Sequence, residues 1–158
     1  PSRTGRNIRP AELKRLAAIE GVVAVKEAAG DMAQAQEILA SRPARLAVLS
    51  GEDALTCAMT LMGGDGVISV VSNVDPAGTV KMVEACLSGD VAAAREAHYR
   101  LLPLMDALFA ETNPVPAKAA VHLLGLAGAH VRLPLARASR ETIARVADTM
   151  AGLGLTKA

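Results

Sequence analysis

The sequence predicts an α/β protein in which three βα units are followed by a wholly helical region. Short apolar, β-branched runs recur at roughly 20-residue intervals in the first half of the chain, and helical patterns lie between them. Beyond residue 89 no further run of this kind occurs. Regular alternation of strand and helix is typical of a parallel sheet with right-handed crossovers. The sequence alone therefore allows either a doubly wound sheet or a (βα) barrel.

The three predicted strands are residues 22–25, 46–49 and 67–71. Each run is flanked by Gly, Pro or Ser, and each is continuously apolar rather than alternating. Such runs are typical of parallel strands that are buried on both faces. Three strands leave two unpaired edges and cannot close a barrel, which normally takes about 250 residues.

Helical patterns in the first half cover residues 11–19, 32–40, 53–62 and 75–87. Pro10 suits the first turn of the first helix, because its missing N–H has no intrahelical partner there. Asp31 and Asp53 are the predicted N-caps of the second and third helices. Asp75 and Pro76 are predicted to begin the fourth.

The second half is predicted to hold helices over residues 90–109, 117–124 and 139–152. Asp90 caps the first of them, Pro103 is a candidate kink, and Ser139 begins the last. The Asn-Pro-Val-Pro stretch at 113–116 breaks the chain, and residues 132–135 are predicted to be extended.

The composition excludes several classes of partner. The 158 residues include 17 basic and 16 acidic side chains, so there is no excess charge for nucleic acid or an anionic membrane. Tyr99 and Phe109 are the only aromatic residues, which argues against stacking on bases or sugars. No apolar run approaches the ~20 residues of a membrane span. We expect a cytoplasmic protein that works on small molecules or contacts other proteins.

Cysteine and histidine do not indicate a metal site. Cys57 and Cys86 fall inside predicted helices, which favours two reduced, buried thiols over a disulfide. His98, His122 and His130 lack the mutual spacing and the nearby carboxylates of a zinc site, so solvated or core histidines are expected.

Lys26 is the first candidate for chemistry. It closes the first predicted strand, and the carboxyl ends of parallel strands are where α/β proteins place their reactive groups. An amine held among apolar neighbours is deprotonated more easily and becomes a nucleophile towards carbonyl carbon. The alternative is a lysine that marks the strand end and pairs with Glu27 in solvent.

Gly51 lies where the second strand gives way to a helix, and a ligand can approach the backbone closely at a glycine. The glycines at 63–66 precede a strand, so they predict a tight turn rather than a phosphate loop. Arg3 lies in a Gly- and Ser-containing turn, where a guanidinium could bind a carboxylate with two hydrogen bonds. Simple exposure is the alternative for Arg3.

Six stretches together resemble consecutive motifs of one enzyme family. They are PSRTG at 1–5, VAVKEAAGD at 23–31, LSGEDA at 49–54, GGDGVISV at 63–70, NPVPAK at 113–118 and RLPL at 132–135. The family is dihydrodipicolinate synthase, also called 4-hydroxy-tetrahydrodipicolinate synthase. The resemblance covers essentially the whole chain in the same order and spacing.

The resemblance implies a partial (βα)8 TIM barrel, namely its last three βα units, followed by a C-terminal helical region. Residues 1–88 would be the barrel part and 89–158 the helical part. It implies that Lys26 forms a Schiff base with pyruvate, and that the resulting enamine attacks L-aspartate 4-semialdehyde. Arg3 would hold a substrate carboxylate, and Gly51 and Ile68 would line the pocket. No metal or organic cofactor is implied, and family members are homo-oligomers.

The sequence departs from the family mainly by omission. The Gly-Thr-Thr-Gly-Glu motif and the tyrosine that serve the family's proton relay are absent, and Tyr99 lies in the helical region. Two alternatives therefore remain. One is a related pyruvate-dependent aldolase, such as N-acetylneuraminate lyase or a 2-keto-3-deoxy sugar acid aldolase. The other is a non-catalytic half-barrel.

Overall fold

A computed structural model describes residues 4–156 of the chain. The described residues form three strands, seven α-helices and one 3-10 turn. The strands are β1 Ala24–Glu27, β2 Ala47–Ser50 and β3 Gly66–Val67. The helices are α1 Pro10–Leu16, α2 Met32–Ser41, α3 Asp53–Leu61, α4 Pro76–Ser88, α5 Val91–Ala107, α6 Val115–Leu123 and α7 Arg140–Gly152, and the 3-10 turn is Val71–Asn73.

The strands form one parallel sheet in the order β1-β2-β3. Lys26 pairs with Leu49, Glu27 with Ser50, and Ser50 with Val67. A helix connects each strand to the next, as the sequence predicted. This is the architecture of a partial (βα)8 barrel with an additional helical region.

The strand boundaries differ from the prediction at both edges of the sheet. β1 lies two residues later than expected, because pairing starts where Ala47 N donates to Val23 O at 2.9 Å and continues through Glu27. β3 is shorter than 67–71. Ile68 N still donates to Ser50 O at 2.8 Å, but β2 ends at Ser50 and offers no partner beyond it.

The two faces of the sheet differ in burial. The helix-covered face consists of Val25, Glu27, Val48 and Ser50, and the last two are fully buried. The open face consists of Ala24, Lys26, Ala47 and Leu49, and it is exposed or half-buried. The prediction that the strands are buried on both faces is therefore wrong. In a closed barrel the open face lines the interior, and three strands leave it uncovered.

The hydrophobic core beneath the helix-covered face joins α1, α2 and α3 to the sheet. Its buried members are Leu13, Ala17, Ala35, Ile38, Leu46, Val48 and Met59. Apolar side chains at helical spacing in α2 place Ala35 and Ile38 on the same side of that helix. This core holds the strand ends in a fixed relation to one another.

Several predicted helix starts are confirmed. Pro10 is the first residue of α1. The side chains of Asp31, Asp75, Asp90 and Ser139 accept hydrogen bonds from backbone N–H groups of Ala33 (2.8 Å), Gly78 (2.8 Å), Ala93 (3.0 Å) and Thr142 (3.1 Å) respectively. The cap predicted at Asp53 is wrong, because Glu52 is the N-cap residue and Asp53 lies in the first turn.

The chain divides into two compact units. The first runs to Ser69 and includes Val83–Ala94; the second comprises Val70–Met82 and the residues from Arg95 onward. Within the second unit α6 packs on α7, and buried Asp75 pairs with Arg100 at 2.7 Å. The proposed division into residues 1–88 and 89–158 stays a prediction.

Candidate active site

Lys26 lies in β1 at the carboxyl end of the sheet, on the open face. Its neighbour across the sheet is Leu49 of β2. Lys26 is exposed, so the described residues do not enclose its amine among apolar side chains as the sequence had suggested. Among the described residues, no hydrogen-bond or ion-pair partner holds its amine. The interpretation of Lys26 as paired with Glu27 in solvent is wrong, because Glu27 is buried on the opposite face.

Gly51 lies directly against the side chain of Lys26. A Cβ placed on Gly51 would lie 2.8 Å from Lys26 Cε, 2.9 Å from Lys26 Cγ and 2.5 Å from Ala28 Cβ. Real Cβ contacts are not this short, so a side chain at position 51 would force the lysine chain out of its present position and would clash with Ala28. Gly51 N also donates to Glu27 O at 2.6 Å, which continues the β1–β2 ladder past the strand end. The structure thus brings two of the predicted site residues together.

Ile68 follows β3 at the same end of the sheet. Its N–H bonds to Ser50 O, and its side chain is 47% exposed. The next residue, Ser69, donates from its hydroxyl to the buried carboxylate of Asp53 at the start of α3. That bond ties the segment after β3 to the helix after β2. The carboxyl end of the sheet therefore holds Lys26, Gly51 and Ile68.

Glu27 is a buried carboxylate next to Lys26 in β1, and the sequence did not reveal its hydrogen-bond partners. It is 7% exposed, and its carboxylate accepts hydrogen bonds from Ala29 N at 2.7 Å and from Gln34 Nε2 at 3.1 Å. Gln34 lies in the first turn of α2 and also bonds to Asn7. Glutamine and asparagine side chains carry no periodic signal in a sequence, so this network could not be predicted.

Arg3 lies outside the described residues, and its role stays a prediction. The glycines at 63–66 form the turn between α3 and β3, as expected. Asp65 lies at the opposite, amino end of the sheet, where it accepts from Val48 N at 2.7 Å and pairs with Arg42. The Arg42 guanidinium beside Asp65 holds the pKa of that carboxyl below its usual range.

The two cysteines are free and buried, as predicted. Their Sγ atoms lie 3.7 Å apart, on α3 and α4. Burial, reinforced by the Cys57 thiol, raises the pKa of Cys86 to about 12, so Cys86 is a poor nucleophile at neutral pH. Burial also lowers the pKa of His98. Within residues 4–156, no group of three or more His, Cys, Asp or Glu side chains is placed to hold a metal ion.

Three parallel strands joined by helices, with Lys26 at the carboxyl end of the first, define the class as part of a (βα)8 barrel. In the part of the chain that the structure describes, no helix is both long and apolar enough to cross a membrane. The sequence profile of the dihydrodipicolinate synthetase family matches residues 1–152. The chain belongs to that family.

Individual relatives agree with this assignment. The chain is 47% identical over 151 residues to the 4-hydroxy-tetrahydrodipicolinate synthase of Methanothrix thermoacetophila, a match that covers 95% of this chain and 51% of the relative. The crystal structure of dihydrodipicolinate synthase from Aquifex aeolicus matches with a TM-score of 0.96 and 39% identity, over 99% of this chain and 54% of that one. The chloride-inhibited Acinetobacter baumannii enzyme, crystallised with pyruvate, matches with a TM-score of 0.94 and 30% identity, over 98% and 53%.

The chain spans about half the length of the curated relatives it matches. The part of the chain that matches the family includes Lys26.

Proposed function

We propose that this chain carries the Schiff-base half of a dihydrodipicolinate synthase active site, and that Lys26 is its nucleophile. The observation that supports this most directly is the placement of Lys26 at the carboxyl end of β1, with Gly51 kept free of a side chain beside it. A relative in complex with pyruvate has the same fold over nearly all of this chain. In the proposed reaction pyruvate condenses with L-aspartate 4-semialdehyde to 4-hydroxy-tetrahydrodipicolinate, a step towards lysine and diaminopimelate.

The proposed chemistry begins with attack of the neutral Lys26 amine on C2 of pyruvate. Water leaves and an imine forms between Lys26 Nζ and C2. The imine nitrogen then accepts the electron pair released when a proton leaves C3, which gives the enamine that attacks the aldehyde carbon. Gly51 and Ile68 would line the pocket. Arg3 would bind the carboxylate of the incoming aldehyde, since a guanidinium can donate two parallel hydrogen bonds to it.

Borohydride trapping tests the imine. Reduction in the presence of pyruvate should raise the intact mass of the chain by about 72 Da, because pyruvate adds, water leaves and two hydrogens are gained. An unchanged mass would favour the non-catalytic half-barrel.

The aldehyde tests the reaction. Aspartate 4-semialdehyde should consume the enamine, and so lower the amount of trapped pyruvate adduct, at a lower concentration than sugar-acid aldehydes do. The opposite order would favour an aldolase of the same superfamily.

We further propose that the enzyme is cytoplasmic and works as a homo-oligomer, in keeping with the family. Sedimentation equilibrium of the purified chain would measure its assembly directly.

A further inference from the structure

Two of the stretches that carry the family resemblance take no part in the proposed imine chemistry, and they meet around one cavity. They are the Asn-Pro-Val-Pro-Ala-Lys stretch at 113–118 and the Arg-Leu-Pro-Leu stretch at 132–135. This 114–135 cavity has a volume of about 500 Å³ and is lined by Pro114 and Lys118 of the first stretch and by the whole of the second. All of its lining residues belong to the second compact unit.

A helix start and a turn form the walls of the 114–135 cavity. Pro114 is the N-cap residue of α6, and Lys118 lies one turn later, where its N–H donates to Pro114 O at 2.8 Å. Leu135 N donates to Arg132 O at 3.0 Å, so residues 132–135 form a turn and not the extended stretch that the sequence predicted. Backbone hydrogen bonds therefore fix the local structure of both walls.

The lining of the 114–135 cavity combines apolar surface with cationic side chains. Its polar members are Lys118, His130 and Arg132, and the described lining residues include no Asp or Glu. Its apolar members are Pro114, Val131, Leu133, Pro134 and Leu135. Small-molecule sites typically have mostly apolar walls with a few polar groups, in volumes of about 300–1,000 Å³. By composition and volume, the cavity fits a small organic molecule.

The two permanent positive charges at this cavity are not neutralised by the protein. Within residues 4–156, neither the Lys118 nor the Arg132 side chain has a hydrogen-bond or ion-pair partner. Glu111, the acidic residue nearest to Lys118 in the sequence, accepts instead from Ser139 N at 2.9 Å, at the start of α7. Two unpaired cations at one cavity attract an anion, and a guanidinium suits a carboxylate because it can donate two parallel hydrogen bonds.

A second cavity in the same unit shows that cationic side chains alone do not define a ligand site. Its volume is about 270 Å³, and Lys81 and Arg100 line it together with Asp75 and Glu96. Arg100 pairs with Asp75 at 2.7 Å, so its charge is already compensated. The 114–135 cavity differs because its cations have no such partner.

We infer that the 114–135 cavity is a binding site for a small organic carboxylate. Lys118 and Arg132 hold the charged group, and the apolar body of the ligand packs against the proline and leucine side chains. His130 adds a ring nitrogen that can donate a hydrogen bond to the same group. The lining residues do not include Lys26, so occupation of this site requires neither pyruvate nor an imine.

A titration followed by NMR tests the inference. The methyl groups of leucine and valine are labelled with carbon-13, and hexanoate is added in the absence of pyruvate. We expect shifts at Val131, Leu133 and Leu135, with half-saturation at about 1 mM, an ordinary value for a ligand of this size. Hexanamide keeps the chain without the charge, and acetate keeps the charge almost without the chain. Each should require an about fivefold or greater concentration, because each lacks one of the two contributions.

Lys118→Gln and Arg132→Gln remove the two charges one at a time. Each should raise the half-saturating hexanoate concentration about threefold or more, and the double variant should bind hexanoate no better than hexanamide. The matched controls are Lys81→Gln, at the charge-balanced cavity, and Arg137→Gln, which replaces an exposed arginine that lines neither cavity. Both controls should bind hexanoate as the wild type does.

Three results would overturn the inference. Equal half-saturating concentrations of hexanoate and hexanamide would show that the cations play no part in binding. Equal losses in the cavity variants and in the controls would show a general effect of net charge. Methyl shifts that are absent at the cavity, or that are spread evenly over the chain, would show that the cavity is not the binding site. The comparison of the three ligands on the wild-type chain decides the question even if a variant does not fold.

Discussion

The two ends of the three-stranded sheet are built differently. At the amino end, Arg42 donates to Leu46 O at 3.1 Å, to Gly63 O at 2.8 Å and to Asp65, and Asp65 also accepts from Val48 N. At the carboxyl end, Lys26 is exposed and lies beside a glycine. At the amino end, polar side chains hold strands and turns together. At the carboxyl end, the amine of Lys26 is exposed to solvent. Barrel enzymes separate stability and chemistry in this way.

The largest expected effect is at the carboxyl end. Lys26→Ala should abolish the pyruvate adduct, at least about a hundredfold below the wild type, because no other amine replaces the nucleophile. Its free energy of unfolding should change by less than about 0.5 kcal/mol, since the side chain is exposed. Intact-mass measurement after borohydride reduction checks the adduct, and urea unfolding checks stability.

Lys14→Ala is the matched control for that variant. Lys14 is exposed on α1 and shares a hollow with Arg42 and Leu46, near the amino end of β2. It should trap pyruvate as the wild type does. Equal losses in the two variants would mean that trapping is not specific to the sheet's carboxyl end.

Gly51→Ala tests the space beside Lys26. The added methyl would displace the lysine chain and press on Ala28, so we expect a tenfold or greater fall in the rate of adduct formation and a cost of about 1–3 kcal/mol in stability. Gly152→Ala is the comparison, because no atom lies within 4 Å of its added Cβ. Normal adduct formation in Gly51→Ala would show that the close contact with Lys26 has no functional consequence.

Arg42→Ala should have the reverse profile at the amino end. It removes donors from two backbone carbonyls and from Asp65, and we expect a loss of about 1–3 kcal/mol in the free energy of unfolding. Under conditions where the variant is folded, it should trap pyruvate at the wild-type rate. A large loss of trapping with unchanged stability would contradict the separation of the two ends.

The smallest effect concerns pH. Because the folded pKa of Asp65 lies below 3.8, its ionised form stabilises the fold above that pH, and this contribution is lost as pH falls through the folded pKa. The difference in unfolding free energy between wild type and Asp65→Asn should therefore shrink below pH 3.8. It should amount to less than about 1 kcal/mol, because the Asp65 side chain is 40% exposed. If the difference in unfolding free energy grew as the pH fell, the ionised Asp65 carboxylate would not be the form that stabilises the fold.

Much of this organisation could be predicted from the sequence. β-branched runs at regular spacing predicted three parallel strands joined by helices. Side chains such as Asp31 and Ser139 predicted helix starts because they accept from free N–H groups. The position of Lys26 at a strand end followed from the same pattern. The family resemblance added the chemistry expected of it.

Other features depend on tertiary contacts that no local pattern carries. The burial of Glu27 and its bond to Gln34 arise where β1 meets α2. Asp53 was expected to cap α3, yet its carboxylate bonds to Ser69 of the segment after β3. The open face was expected to be buried because apolar strands do not show which of their faces is covered. These are the places where side chains distant in sequence meet.

Mapping the reduced pyruvate adduct to a single lysine shows whether Lys26 is the residue that forms the imine. The wild-type chain is treated with carbon-13-labelled pyruvate and borohydride, digested, and analysed by mass spectrometry of its lysine peptides. We expect the label on the peptide containing Lys26, with little on those containing Lys14, Lys81 or Lys118. Label spread evenly over these lysines, or absent from Lys26, would contradict it.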